Sequence, residues 1–248
     1  MNTFFKIYFA MIFSVNLSFA QKLVFFNSKK LPEAINSELS EVLPILSADG
    51  NTLFFVRDGL FGGKGQEDIW YSTKDANGNW KEGENDLKNL NNKEGNFFIG
   101  VNRENNTIYL RNAYDKKMKD MISIVSSNFS DGEWQEPQTI PALPDFGFRG
   151  KYYNMYLSHN EKYLFISMNI AGTEGKEDLY LLTKDDNNVW SQPIHLGNNL
   201  NSKEVEMSPF ITEDGKFLFF ASNGHGGYGD FDIFYSERLD DSYKNWSD

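Results

Sequence analysis

The chain has 248 residues, with 24 Lys or Arg against 35 Asp or Glu, a formal net charge of −11, and 40% hydrophobic and 16% aromatic residues. That composition belongs to a globular protein with enough apolar material for a core. An acidic balance argues against a surface for duplex nucleic acid, which needs cations to displace counterions. The lack of cysteine excludes disulfide scaffolds, thiolate metal sites and thiol nucleophiles together. The three histidines, His159, His195 and His225, are too far apart in sequence for a helical zinc motif.

In chain order, the first element is an apolar run from Ile7 to Ala20 behind Lys6. As a helix its 14 residues would rise roughly 21 Å, short of the roughly 30 Å hydrocarbon core. Ser18-Phe19-Ala20 places small residues before Gln21, so residues 1–20 read as a secretory signal and 21–248 as the mature domain. The alternative is an uncleaved N-terminal anchor. No later stretch is apolar enough to span a bilayer as a helix, so the expectation is an exported product, periplasmic or outer-membrane-associated or extracellular.

The rest is written as a repeat. Trp80, Trp134, Trp190 and Trp246 are spaced 54, 56 and 56 residues apart. Asp68, Asp120, Asp178 and Asp232 lie upstream of them, each followed by an aliphatic residue or Met. Further upstream are the turn pairs Asp49-Gly50, Glu104-Asn105, Asn160-Glu161 and Asp214-Gly215, each leading into an apolar run such as Leu53-Phe54-Phe55. Each unit reads as four short strands, with a primed hairpin turn between the first two and a fourth strand running from the Trp through Pro137 or Pro193. Four-stranded antiparallel units in tandem describe an all-β β-propeller, either a closed ring of four blades or part of a larger one. The repeats fall at about 40–95, 96–150, 151–205 and 206–248. Residues 22–39, with the orphan strand Lys22 to Asn27, would close the ring.

Glu41-x-x-Pro44-x-x-Ser47-x-Asp49-Gly50, followed by Gly62-Gly63-x-Gly65-x-x-Asp68-Ile69, resembles the WD-repeat-like propeller repeat of TolB-type proteins. Glu206-x-x-Pro209, Asp214-Gly215 and Gly226-Gly227-x-Gly229-x-x-Asp232-Ile233 repeat that pattern. The resemblance implies an exported bacterial propeller of the cell envelope, with protein or envelope partners, peptidoglycan-associated or outer-membrane proteins among them. No cofactor and no metal are implied.

The glycines at Gly62/Gly65, Gly172/Gly175 and Gly226/Gly229 suit a fixed loop needing positive φ better than a phosphate cradle, because a strand follows and not a helix. The repeated aspartates read as acceptors for loop N–H groups, and the repeated tryptophans as packing between blades. Function is then sought where the repeat is broken. Arg111, Tyr114 and Lys117 interrupt the second glycine loop, Phe146, Phe148 and Arg149 follow Trp134, and His225 and Tyr228 lie in the fourth loop. These eight are the candidate binding residues.

Enzymatic readings find little support in the sequence. There is no Gly-x-Ser-x-Gly, and the arginines fall at unlike positions of the repeat. The expectation is therefore a non-enzymatic, exported module that binds a protein or an envelope component. The alternative is a glycan-active propeller with acidic residues at the channel, of the glycoside hydrolase kind.

Overall fold

A computed structural model describes residues 30–247 except 60–63, 66, 112, 115–121, 141–142, 146, 149–152, 172 and 174. Four antiparallel sheets follow one another along the chain. Blade 1 is β1 (Ser40–Leu46), β2 (Thr52–Asp58) and β3 (Glu67–Thr73). Blade 2 is β4 (Phe98–Val101), β5 (Thr107–Arg111), β6 (Ile124–Ser130), β7 (Glu133–Trp134) and β8 (Gln138–Thr139). Blade 3 is β9 (Asn154–Leu157), β10 (Tyr163–Met168), β11 (Asp178–Thr183) and β12 (Ile194–His195). Blade 4 is β13 (Glu206–Ile211), β14 (Phe217–Ser222) and β15 (Asp232–Glu237). Pairing runs in sequence order within each blade, except that β8 returns to pair with β6, and this is the propeller arrangement.

Alternation along the second strand gives each blade two apolar faces. The leading face of blade 1 carries Phe54 and Ile69, and Phe54 stacks on Phe98 of blade 2 with ring centroids 4.5 Å apart. The trailing face of blade 2, Ile108 and Leu110, belongs to the same core. Between blades 2 and 3, Tyr109 and Ile124 meet Leu164 and Ile166. Between blades 3 and 4, Phe165 and Leu181 meet Leu218 and Phe220. Each fully buried aliphatic or aromatic side chain contributes roughly 1.5–3 kcal/mol, so these interfaces are the principal source of stability. The trailing face of blade 1, Leu53 and Phe55, is capped by Ile35.

Blade 4 departs from this pattern on its leading face. Ile69 and Leu179, which follow the repeat aspartates of blades 1 and 3, are 0% exposed, whereas the equivalent Ile233 is 81% exposed. The closing strand expected at Lys22 to Asn27 lies outside the described residues.

Three local expectations are refined. The fourth strand is not one continuous strand. The chain returns at each Trp through a tight hairpin, pairing Lys74 with Trp80, Phe129 with Trp134, Lys184 with Trp190 and Arg238 with Trp246. Pairing then lapses around Pro137 and Pro193, which have no N–H to donate, and resumes only briefly at β8 and β12. A side-chain amide takes over part of the work: Asn91 Oδ1 and Nδ2 bond the N–H and C=O of Ile69 at 2.9 and 2.8 Å. Asn201 does the same to Leu179 at 2.7 and 3.1 Å.

The turn between the first two strands is not of the primed type, which would need positive φ at both central residues. It closes through Gly50 N–H to Ser47 O at 2.9 Å, and Glu161 N–H to Ser158 O at 2.8 Å. Only the fourth residue is left-handed: Gly50 (φ 73°), Asn105 (56°), Glu161 (60°) and Gly215 (68°).

Positive φ holds in the glycine loop of blade 4, at Gly226 (78°) and Gly227 (135°), but Gly65 and Gly175 have another cause. A Cβ on Gly65 would meet Asn92 O at 2.8 Å, and one on Gly175 would meet Ser202 O at 2.7 Å. These glycines let the loop touch the backbone of the linker that enters the next blade.

Candidate active site

The turns that join the first and second strands are fastened by their own side chains. Ser47 donates to Asp49 at 2.5 Å, Ser158 to Asn160 at 2.7 Å and Thr212 to Asp214 at 2.5 Å. The residue between donor and acceptor is then free to vary, and across the four units it is Ala48, Arg103, His159 and Glu213. These positions draw the four blades together. Arg103 pairs with Glu213, and His159 Nδ1 lies 3.2 Å from Glu213 Oε2. His159 Nε2 donates to Leu46 O of blade 1 at 3.1 Å. Arg103 and Glu213 are more than half exposed, whereas His159 is largely covered.

Two residues further along each turn is the left-handed position, and blade 3 fills it with Glu161. For a glutamate this conformation costs about 1 kcal/mol or more, since its Cβ crowds the carbonyl. Leu43, Ser208 and Tyr243 are left-handed too, so strain alone does not single Glu161 out. A second departure meets it. The middle of the second strand reads Phe54, Tyr109, Phe165 and Phe219, so blade 2 alone brings a hydroxyl there. That hydroxyl of Tyr109 donates to Glu161 Oε1.

Both residues line a cleft of about 530 Å³ between blades 2 and 3, together with Ile140, Lys184, Asp186 and Trp190. Lys184 is placed there because its N–H bonds Lys162 O at 2.9 Å, and its ammonium lies 4.8 Å from the centre of the Trp190 ring. Asp185, beside it, is committed to the hairpin, accepting from Asn187 and Val189 N–H at 2.9 and 2.8 Å.

Burial shifts the pKa values of Glu161 and Lys184 toward each other. Desolvation raises the pKa of Glu161 above its ordinary value, with Lys184 opposing and Glu104 adding to the rise. Desolvation likewise lowers Lys184, and Glu161 opposes that shift. A carboxylate made more basic and an ammonium made more acidic, lining one cleft, are a candidate base and acid.

The residues singled out from the sequence fall elsewhere. Arg111 lies between the rings of Phe97 and Tyr153, 4.4 and 4.7 Å from their centres, and Phe148 meets Tyr153 edge-on at 5.4 Å. Tyr114 donates to Leu90 O, and burial raises its pKa. Lys117, Phe146, Arg149 and Asp120 lie outside the described residues. His225 Nε2 donates to Leu200 O at 2.9 Å and lies 3.8 Å from Glu206. In blade 1, Arg57 makes the same pair of contacts, to Ile35 O and Glu41, both at 2.8 Å. Tyr228 is fully exposed. The structure thus brings Arg111 and Phe148 to one cluster and leaves His225 and Tyr228 in blade 4.

The repeat aspartates accept loop N–H groups: Asp68 from Lys64 and Gly65 at 2.6 and 3.2 Å, Asp178 from Gly175 at 3.2 Å, and Asp232 from Tyr228 and Gly229 at 2.7 and 3.0 Å. Asp178 also holds His195 Nε2 at 3.1 Å, while His195 Nδ1 accepts from Gly197 N–H at 3.2 Å. Both ring nitrogens are therefore engaged, and His195 offers no free base. Among the described residues, no group of three or more His, Asp or Glu is placed to hold a metal ion. No helix among them is long and apolar enough to cross a membrane.

No protein-family model matches the chain, and no curated protein sequence matches it. The fold is similar to that of a putative 6-phosphogluconolactonase from Bacteroides uniformis, at 16% identity and a TM-score of 0.40, over 90% of this chain and 57% of that one. It is also similar to a gluconolactonase from Xanthomonas campestris, at 12% identity and a TM-score of 0.41, over 71% of this chain and 52% of that one. An exo-β-1,3-galactanase from Clostridium thermocellum matches at 12% identity and a TM-score of 0.45, over 80% of this chain and 45% of that one. The chain spans about half the length of these structures. At these identities the likeness concerns the β-propeller fold.

The comparisons also correct the expectation of a non-enzymatic binding module. That expectation moved from a propeller repeat without familiar catalytic motifs to a protein without chemistry. The similar propellers are named lactonases and a galactanase, so the fold gives no ground for reading this chain as a non-enzyme.

Proposed function

We propose that the protein is a hydrolytic enzyme acting on a small hydroxylated substrate in the cleft between blades 2 and 3. Glu161 is the general base that takes a proton from water. The Lys184 ammonium steadies the charge developing on the attacked carbonyl and supplies the proton to the leaving oxygen. Tyr109 orients the base, and Trp190 with Asn160 and Asn188 offers the mixed apolar and polar walls that such a substrate needs. The observation that carries this reading is Glu161 itself: a glutamate kept in a left-handed turn position, with its carboxyl made more basic by burial beside an ammonium made more acidic.

The test is turnover of a panel of sugar lactones and simple esters, followed by acid release. Glu161→Gln and Lys184→Met should each lower the rate by about a hundredfold or more without any loss of thermal stability. Wild-type rates in both variants would remove the cleft from consideration.

The same reading takes residues 1–20 as an export signal, so the enzyme works outside the cytoplasm. It takes the repeat as TolB-like, on the strength of the glutamate, proline, turn and glycine-loop pattern shared by units 1 and 4. Secretion of a reporter fused to residues 1–25, with cleavage before Gln21, tests the first point.

A further inference from the structure

Blade 4 presents the face that blades 1, 2 and 3 each bury against the blade after them. Ile233 is 81% exposed there, Phe210 and Phe231 are each 40% exposed, and Tyr228 projects fully into solvent from the loop between β14 and β15. Within the same face is an apolar cavity of about 530 Å³, whose walls include Phe210, Phe219, Ala221 and Ile233 of blade 4 with Pro44 and Ile45 of blade 1. Tyr228 projects from the β14–β15 loop, and the strands that flank this loop supply Ala221 and Ile233 to the cavity wall, so a knob and a hole share one blade face.

We propose that this face docks a second copy of the chain about a two-fold axis, with Tyr228 of each copy entering the cavity of the other. Three observations favour that occupant. A two-fold interface must be self-complementary, and a knob beside a hole meets that requirement. A head-to-tail pairing would need the trailing face of blade 1 to be open, but Leu53 and Phe55 are buried beneath Ile35. Finally, the contact continues an established one, since the equivalent Ile69 and Leu179 are apolar anchors where blade 1 meets blade 2 and blade 3 meets blade 4.

Electrostatics supplies a signature. The chain carries a net charge of −11, and Asp230, Asp240 and Asp241 are exposed in blade 4. An apolar contact between like-charged copies is opposed by repulsion, which salt screens over about 8 Å at physiological ionic strength. The dimer should therefore tighten as salt is added, the reverse of an interface held by ion pairs.

Sedimentation equilibrium of the full chain from about 1 to about 100 µM, at low and high salt, tests this. A dimer that tightens with salt is expected. Tyr228→Ala should weaken it by about tenfold or more, and Ile233→Glu should abolish it. Because Tyr228 makes its surface fully available to solvent, its truncation leaves folding intact, and an unchanged melting curve verifies that. A monomer at about 100 µM under all conditions overturns the proposal and leaves the face to a different protein. A dimer indifferent to both substitutions also overturns it.

Discussion

The hydroxyl of Tyr109 donates to the carboxylate of Glu161 across the boundary between blades 2 and 3. Each residue is the odd one out at its repeat position. The other units place Phe54, Phe165 and Phe219 where Tyr109 stands, and Gly50, Asn105 and Gly215 where Glu161 stands. Restoring the repeat with Tyr109→Phe should leave the core packed, since only the hydroxyl is lost. Freed from that donor, the base samples more orientations, so kcat should fall by about tenfold with little change in KM. Equal losses in KM and stability would instead make Tyr109 a packing residue.

Backbone strain at Glu161 can be separated from the loss of its carboxylate by comparing two truncations. Glu161→Gly and Glu161→Ala both remove the base and should both be inactive. Only glycine relaxes a φ of 60°. The glycine variant should therefore be more stable than the alanine variant by about 1 kcal/mol, read from urea midpoints. Identical midpoints would mean that the turn holds no strain.

The pH profile follows from the two shifts. Catalysis needs Glu161 ionised, so the rate rises as pH passes upward through its pKa, which burial places above 4.5. It also needs Lys184 protonated, so the rate falls as pH passes upward through its pKa, which burial places below 10.5. The expected kcat/KM profile is a bell between those limits. Stability runs with a different sign. A carboxyl raised on folding favours the native state at low pH and loses that contribution as pH rises through its folded value. Glu161→Gln should therefore be at least as stable as the wild type at neutral pH, with the advantage vanishing in acid. A stability difference that grows toward acid would reverse the assigned shift.

The repeat aspartates differ in what their removal leaves behind. Asp68 is 0% exposed and accepts from loop N–H groups that include the buried Gly65. Asp68→Ala should cost about 1–3 kcal/mol, because buried donors go unpaired. Asp232 serves the exposed Tyr228 and Gly229, where water can replace it. Asp232→Ala should cost under about 1 kcal/mol. Equal costs at the two sites would show that loop burial does not set the price.

The repeat was legible because its markers have local causes. Asp49-Gly50 closes a turn, Asp68 collects loop N–H groups, and Leu53-Phe54-Phe55 alternates between two faces, all within a few residues. Gly65 was found for the wrong reason, since its need is the approach of a linker backbone nearly thirty residues onward, which spacing alone does not reveal. The cleft was missed because Tyr109 and Glu161 are 52 positions apart and belong to different blades. A signal was nevertheless present. Alignment of the four turns shows a glutamate in a position that wants glycine or asparagine, and a single tyrosine among phenylalanines. A broken repeat is conspicuous in the loops, where whole segments differ, and inconspicuous where a single residue changes inside an ordered strand or turn.

The self-fastened turns have an evolutionary consequence. In blades 1, 3 and 4 the hydroxyl of Ser47, Ser158 or Thr212 reaches past one residue to the next acceptor, so that residue has no duty in closing the hairpin. When such a unit is duplicated, every copy inherits a vacant post at the same height on the same rim. Mutation can try alanine, arginine, histidine or glutamate there without jeopardising the blade beneath. A protein assembled this way can acquire new chemistry at one end while its architecture is left to drift only slowly.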